Sequence, residues 1–264
     1  LVKGGNYLEA LNNVEAVVFD KTGTLTKGVF KVTQTNPANG YTDKELVEYA
    51  AYAESYSNHP IALSIINAYN AEIDKNRIEN YQEIAGHGIK VNVDGKEVLA
   101  GNTKLMISEN IKYNDTDTIG TVVHIAINGK YVGNIVISDE VKEDSANAIK
   151  ALKSLGINKT IMLTGDLKVV ADKIGKQLGL DEVYSELLPA GKVEKIEFFE
   201  AKKSHNGKVI FVGDGINDAP VLARADVGMA MGGLGSDAAI EAADIVIMTD
   251  EPSKIATAIK ISQK

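Results

Sequence analysis

Hydrophobic and polar positions along the chain follow two rhythms. In the first and last parts, short apolar runs such as Val14–Asp20, Thr160–Leu163, Lys208–Val212 and Val227–Met231 alternate with segments of helical spacing. Uninterrupted apolar runs of that length predict parallel strands buried on both faces. Further strands are predicted at Val183–Ser185 and Asp244–Met248. Helices are predicted over Tyr7–Leu11, Asp144–Leu155, Val169–Leu178, from Leu188 to about Ala201, and over Ser236–Ala243. Strands and helices in such alternation read as a doubly wound parallel sheet.

Between about Lys31 and Asn134 the rhythm changes. Val29–Thr35 alternates as a half-exposed strand, and Asn36–Gly40 breaks it. Thr42 with Glu45 three residues on has capping-box spacing, and Leu46, Tyr49, Ala50 and Ala53 give the helix its apolar face. A second helix follows Pro60. Strand pieces at Gln82–Ala85, Ile89–Val93 and Glu97–Ala100 and a short helix at Lys104–Ser108 come next. A hairpin joins Gly120–Asn128 to Tyr131–Ser138 through Asn128-Gly129. The predicted fold is therefore α/β: a Rossmann-like parallel-sheet domain of residues 1–31 and 135–264, interrupted by an antiparallel α+β domain of residues 32–134.

Composition narrows the function classes. The chain has 264 residues, 44% hydrophobic and 24% charged, as globular proteins do. Its net charge of -8 argues against nucleic acid or an anionic membrane surface as partner. With no cysteine there are no disulfide partners and no thiolate metal sites. No apolar run reaches the roughly 18 residues that a bilayer-spanning helix needs.

The strongest chemical signal is Asp20-Lys21-Thr22-Gly23-Thr24-Leu25-Thr26, directly after an apolar run. A buried parallel strand there delivers one carboxylate to the carboxyl edge of the sheet, where such folds bind ligands. That carboxylate can attack phosphorus, with the hydroxyls and amides of the turn holding phosphoryl oxygens. An Asp two residues later would provide a general acid/base for hydrolysis, which Thr22 cannot. Asp20 therefore reads as a nucleophile whose phosphorylated form persists. The motif resembles the phosphorylation motif of P-type ATPases, and Thr164-Gly165-Asp166 and Gly213–Pro220 match that family's two later motifs in order.

A dianionic phosphoryl group cannot approach several carboxylates without cations. Two are implied: Mg²⁺, ligated by Asp20, Asp214 and the Thr22 carbonyl, and the ammonium of Lys192. The resemblance implies the same roles. It adds Lys21, Thr22, Gly23, Thr164, Gly165 and Asn217 as phosphate contacts and Asp218 as a catalytic residue. Asp166, at a helix start, either caps that helix or, as the resemblance implies, lies near the nucleotide.

No Walker loop occurs in the inserted domain. Glu54, His59-Pro60, Gly86 with Gly88 and Ile89, and Gly101-Asn102 are together similar to the nucleotide-binding set of heavy-metal pumps. By that resemblance Glu54 accepts from the adenine amino group and His59 lies at the base or phosphates. Gly86 and Gly88 let the backbone approach the nucleotide, while Gly101 and Asn102 close the pocket. His87, His124 and His205 read as isolated surface or edge residues.

The resemblance covers essentially the whole chain and implies a haloacid-dehalogenase-like phosphorylation domain with an inserted nucleotide domain. Its cofactors would be ATP and Mg²⁺. The expected function is that of the autophosphorylating part of an ATP-driven heavy-metal exporter, zinc or cadmium favoured over copper by Gly232–Ala239 and Met248–Ser253. Its partners would be ATP/ADP and the transmembrane helices and actuator domain of the same polypeptide, and its location the cytoplasmic face of a membrane. Two alternatives are a soluble haloacid-dehalogenase-type phosphatase with a cap domain and a non-catalytic nucleotide-binding module.

Overall fold

The computed structural model describes residues 1–116, 118–214, 218–232 and 237–263. The chain forms two compact units, one of Leu1–Val29 with Val141–Lys264, the other of Phe30–Glu140. Among the described residues no helix is long and apolar enough to cross a membrane.

The first unit opens with the helix α1 (Gly5–Ala10) and is built on a six-stranded sheet. Its strands are β1 (Val14–Asp20), β8 (Lys159–Leu163), β9 (Glu182–Tyr184), β10 (Lys208–Gly213), β11 (Val227–Met231) and β12 (Ile245–Ile247). Their order is β12-β11-β10-β1-β8-β9, with every neighbouring pair parallel. β1 lies in the middle, and Val17, Val18 and Phe19 are wholly buried, which explains the unbroken apolar run. Ala16 and Val18 face one core, with Ile161, Leu163, Val209 and Phe211 of the neighbouring strands. Ile196 and Phe199 of the helix Pro189–Lys202 and Val221 and Leu222 of the helix Ala219–Arg224 close that core. Val17 and Phe19 point to the opposite face, as the pleat requires.

Register sets the edge that matters here. Asp20 pairs with Leu163, and Phe19 with Val212. The three central strands therefore end level, and Asp20, Thr164 and Asp214 emerge side by side.

In the second unit the order is β2-β7-β6-β5-β4-β3. These are β2 (Thr26–Pro37), β3 (Ile78–Ile84), β4 (Gly88–Val93), β5 (Lys96–Gly101), β6 (Thr121–Ile127) and β7 (Lys130–Val141). Two helices, α2 (Asp43–Glu54) and α3 (Pro60–Tyr69), give Leu46, Ala50, Ala53 and Ile65 to a core with Val91, Val98, Ile125, Ile135 and Ile137. Leu99 and Ala126, of opposite pleat, pack with Leu105 and Met106 of α4 (Thr103–Ser108). The Thr42–Glu45 capping box is formed: Glu45 N–H donates to Thr42 Oγ1 and Thr42 N–H to Glu45 Oε2.

Three features differ from the sequence reading. The inserted unit runs from Phe30 to Glu140 instead of 32 to 134, because β6 pairs with β7 as far as Thr121–Ile137 and position 134 falls in mid-strand. β3 starts at Ile78, four residues early; a bulge between Glu79 and Gln82, with Asn80 at φ +53°, breaks the alternation that would announce it. A helix over Ser253–Ser262, burying Ile255, Ala256 and Ile259, follows the last strand where no element is predicted.

Candidate active site

The turn after β1 is tightly held. Gly23 adopts φ +74°, a conformation that favours glycine, and its N–H donates to Thr26 Oγ1 at 3.3 Å. The Thr26 hydroxyl donates in turn to the Lys21 carbonyl at 3.0 Å. A Cβ on Gly23 would lie 1.5 Å from Asp214 Oδ2, so the Asp214 carboxylate rests directly on the turn. Thr22 is exposed at its tip. Thr24 is wholly buried and its hydroxyl has no hydrogen-bond partner among the described residues.

Lys192 enters from the first turn of the helix Pro189–Lys202, whose proline needs no amide partner at that position. Its ammonium donates to Asp20 Oδ1 at 2.5 Å and to Asp218 Oδ1 at 3.1 Å. Asp218 stands before the helix Ala219–Arg224 but makes no cap with its side chain. One carboxylate oxygen each from Asp20, Asp214 and Asp218 lies within 4.8 Å of the others. Burial, and then the neighbouring Asp218 carboxylate, push Asp20 up to about 7 against the pull of Lys192. Burial works against the Lys192 charge too, yet Asp20 and Asp218 outweigh it and hold the ammonium above its ordinary range. One ammonium does not compensate this much acidity. An all-oxygen donor set of three carboxylates beside a turn carbonyl fits a hard divalent cation such as Mg²⁺.

Thr164 follows β8, and its hydroxyl accepts from the Asp166 N–H at 3.1 Å. Gly165 is exposed beside it. The Lys21 ammonium is buried against Asp166 at 2.7 Å. Asp166 does not cap its helix: Leu167 holds the N-cap position of Lys168–Leu178, without a side-chain cap. Asp166 belongs to the parallel-sheet unit, whereas the other expected nucleotide residues belong to the inserted unit. Asn217 lies outside the described residues, as do 233–236 of the stretch read for cargo.

Within the inserted unit a pocket of about 390 Å³ is lined by Glu54, His59, Gly86, Gly88, Ile89 and Asn102. His59 caps α3, its Nδ1 accepting from Ile61 N–H at 3.3 Å, which leaves the proton of the neutral ring on Nε2 as a donor. Asn102 caps α4 through Oδ1 and donates Nδ2 to the Gly86 carbonyl at 2.8 Å. It thereby ties the Gly86 turn to the end of β5. Gly86, at φ +72°, has open space where a Cβ would be, as close backbone approach requires. Gly88 is different. It pairs with Gly101, and a Cβ on either would lie 2.3 Å from a backbone oxygen of the other strand's side. Gly88 is thus demanded by strand packing, and Gly101 supports the pocket from behind without lining it.

Other residues of the site escaped sequence reasoning. Glu83, His87, Ser57 and Thr121 also line the pocket. Burial, and then Glu83, push Glu54 up to about 7. His124 is buried, with Nδ1 3.0 Å from the Tyr131 hydroxyl, and is not an edge residue. At the turn after β1, Lys142 donates to the Gly23 carbonyl. Its partner there is a backbone atom, which leaves no signature in side-chain motifs.

A family model described as a haloacid dehalogenase-like hydrolase matches residues 14–226. The chain belongs to the haloacid dehalogenase-like hydrolases. Among these hydrolases its likeness is to heavy-metal P-type ATPases. It is 60% identical over 264 residues to a cadmium, zinc and cobalt-transporting ATPase of Bacillus subtilis (strain 168), covering all of this chain and 38% of that protein. The structure of a zinc-transporting PIB-type ATPase in the E2.Pi state matches with a TM-score of 0.85 at 35% identity, over 100% of this chain and 43% of the other. The catalytic domain of the CPx-ATPase CopB-B matches with a TM-score of 0.71 at 30% identity, over 98% and 95% of the two chains. This haloacid dehalogenase-like chain spans between 34% and 39% of the length of the curated relatives it matches.

Proposed function

We propose that this chain is the ATP-binding, autophosphorylating part of an ATP-driven heavy-metal exporter acting at the cytoplasmic face of a membrane, with zinc or cadmium as cargo. The remaining partners would be the membrane helices and actuator domain of the same polypeptide. The observation that carries the reading is the clustering of Asp20, Asp214 and Asp218 within 4.8 Å of one another at the carboxyl edge of the sheet, with one ammonium bonded to Asp20 and Asp218 and Thr22 standing in place of an acid.

Asp20 Oδ would attack the γ-phosphorus of ATP in line. The new O–P bond forms as the bond from that phosphorus to the β,γ-bridging oxygen breaks, and the electron pair leaves with ADP. Lys192 neutralises the nucleophile's neighbourhood and meets the incoming oxygens. Thr22, Thr164 and the turn amides contact the equatorial oxygens, where charge concentrates in transfer. Mg²⁺, held by Asp20, Asp214 and the Thr22 carbonyl, would supply the positive charge that lets phosphate and carboxylates approach. Glu54, His59, Gly86, Ile89 and Asn102 would hold the adenine nucleotide. Because Thr22 cannot activate water, the acyl phosphate outlasts a phosphatase intermediate.

Asp20→Asn should abolish acid-stable, hydroxylamine-sensitive label incorporated from γ-labelled ATP while ATP still binds. Label retained in that variant would refute the assignment of the nucleophile.

A further inference from the structure

Lys142 is almost fully buried, with 4% of its side chain exposed. Its ammonium donates to the Gly23 carbonyl and to Asp250 Oδ1, both at 2.6 Å. Its amide donates to the Leu25 carbonyl at 3.0 Å, and the Ser145 hydroxyl donates to the same oxygen at 2.8 Å. Burying an ammonium costs several kcal/mol unless its partners are well placed, and here they are a single carboxylate and the turn itself.

The other side of Gly23 is held as well, through its N–H and Thr26 Oγ1. A glycine at φ +74°, ψ -15° has little preference of its own for that conformation. Fixing its N–H fixes the plane of the preceding peptide, and hence the direction of the Thr22 carbonyl, which is trans to it. Fixing its C=O stops the turn from rotating about Gly23.

We propose that Lys142, neutralised by Asp250, is a positioning residue that clamps the Gly23 turn and so sets the orientation of the Thr22 carbonyl and the phosphate-facing amides. The inference rests on the phosphoryl-transfer reading above. It adds a cation that touches no reacting atom yet governs how well the turn receives Mg²⁺ and phosphate.

The test uses the whole chain, with Mg²⁺ and beryllium fluoride as probes of a phosphorylated carboxylate, followed by calorimetry. Lys142→Met should raise the Mg²⁺ concentration for half-maximal beryllium fluoride binding about tenfold and slow labelling from ATP roughly 10²-fold, the size expected for an ångström-scale misplacement. ATP affinity should stay within about twofold, and Lys142→Arg should recover part of the loss. In metal-free protein the Gly23 amide resonance should move. Asp250→Asn, at a carboxylate 41% exposed, tests the clamp without emptying a buried site. It should weaken Mg²⁺ several-fold, and add nothing in the Lys142→Met background. Wild-type Mg²⁺ dependence in both single variants would overturn the clamp, as would equal losses of ATP and Mg²⁺ affinity. Absence of beryllium fluoride binding by the wild-type chain would instead overturn the phosphoryl-transfer reading.

Discussion

The Asp214 carboxylate occupies the place where a Cβ on Gly23 would be: Oδ2 lies 1.5 Å from that position. Gly23→Ala would therefore displace Asp214 and strain the backbone at φ +74° by about 1–2 kcal/mol. We expect a loss of at least ~10²-fold in Mg²⁺-dependent labelling, with ATP binding retained. Near-normal labelling would show that Asp214 is not needed at its observed position.

Lys192 separates two buried carboxylates. Lys192→Met leaves them facing each other, and removing one partner of such a buried group costs about 3–5 kcal/mol. The variant should unfold at a clearly lower urea concentration and take up no label. Lys192→Arg should keep most of the stability but lose labelling, because the longer, planar cation does not fit where a point charge sits. If Lys192→Met matched wild type in urea, the pairing with Asp20 and Asp218 would have no energetic weight.

Glu54 ties stability to pH. Its ordinary value of 4.5 is pushed up to about 7 by burial and by Glu83. A carboxyl raised on folding keeps its proton while the unfolded chain ionises, so the folded state loses ground as pH rises from about 4.5 to 7. Glu54→Gln removes this loss. The variant should gain roughly 1–3 kcal/mol over wild type at pH 8 and almost nothing at pH 4.5, read from urea unfolding. In wild type ATP affinity should rise between pH 6 and 8 as the stronger, ionised acceptor forms, and in Glu54→Gln it should be low and flat. A pH-independent difference in stability would contradict the environment described for Glu54.

The limits of the inserted unit can be checked by excision. Residues 30–140 should fold alone and bind ATP. Residues 32–134 remove Ile135 and Ile137, both wholly buried, together with their pairing to β6. Large core deletions cost about 2–5 kcal/mol each, so the shorter piece should be unfolded or far less stable by circular dichroism. Equal stability of the two would place the boundary inside β7.

Much of this architecture was legible in the residues. A strand buried on both faces must read as an unbroken apolar run, so Ala16–Phe19 announced the sheet and Asp20 its edge. The change to alternation past Gly28 marked the insertion, since antiparallel strands such as β4 bury alternate residues and leave the others partly exposed. The Thr42–Glu45 box was readable because both of its bonds join neighbours in sequence. β3 was shortened by a bulge that disrupts the period, and the last helix followed no motif.

The sequence by itself determined the element types, the strand-end carboxylates and the family, because local periodicity and short motifs are written in adjacent residues. Only the tertiary structure decided which groups share a charge environment. Lys21 turned to Asp166, Glu83 raised Glu54, and Lys142 found a carbonyl 119 positions away. Electrostatics depends on distance in space and on burial, and neither is encoded in spacing along the chain.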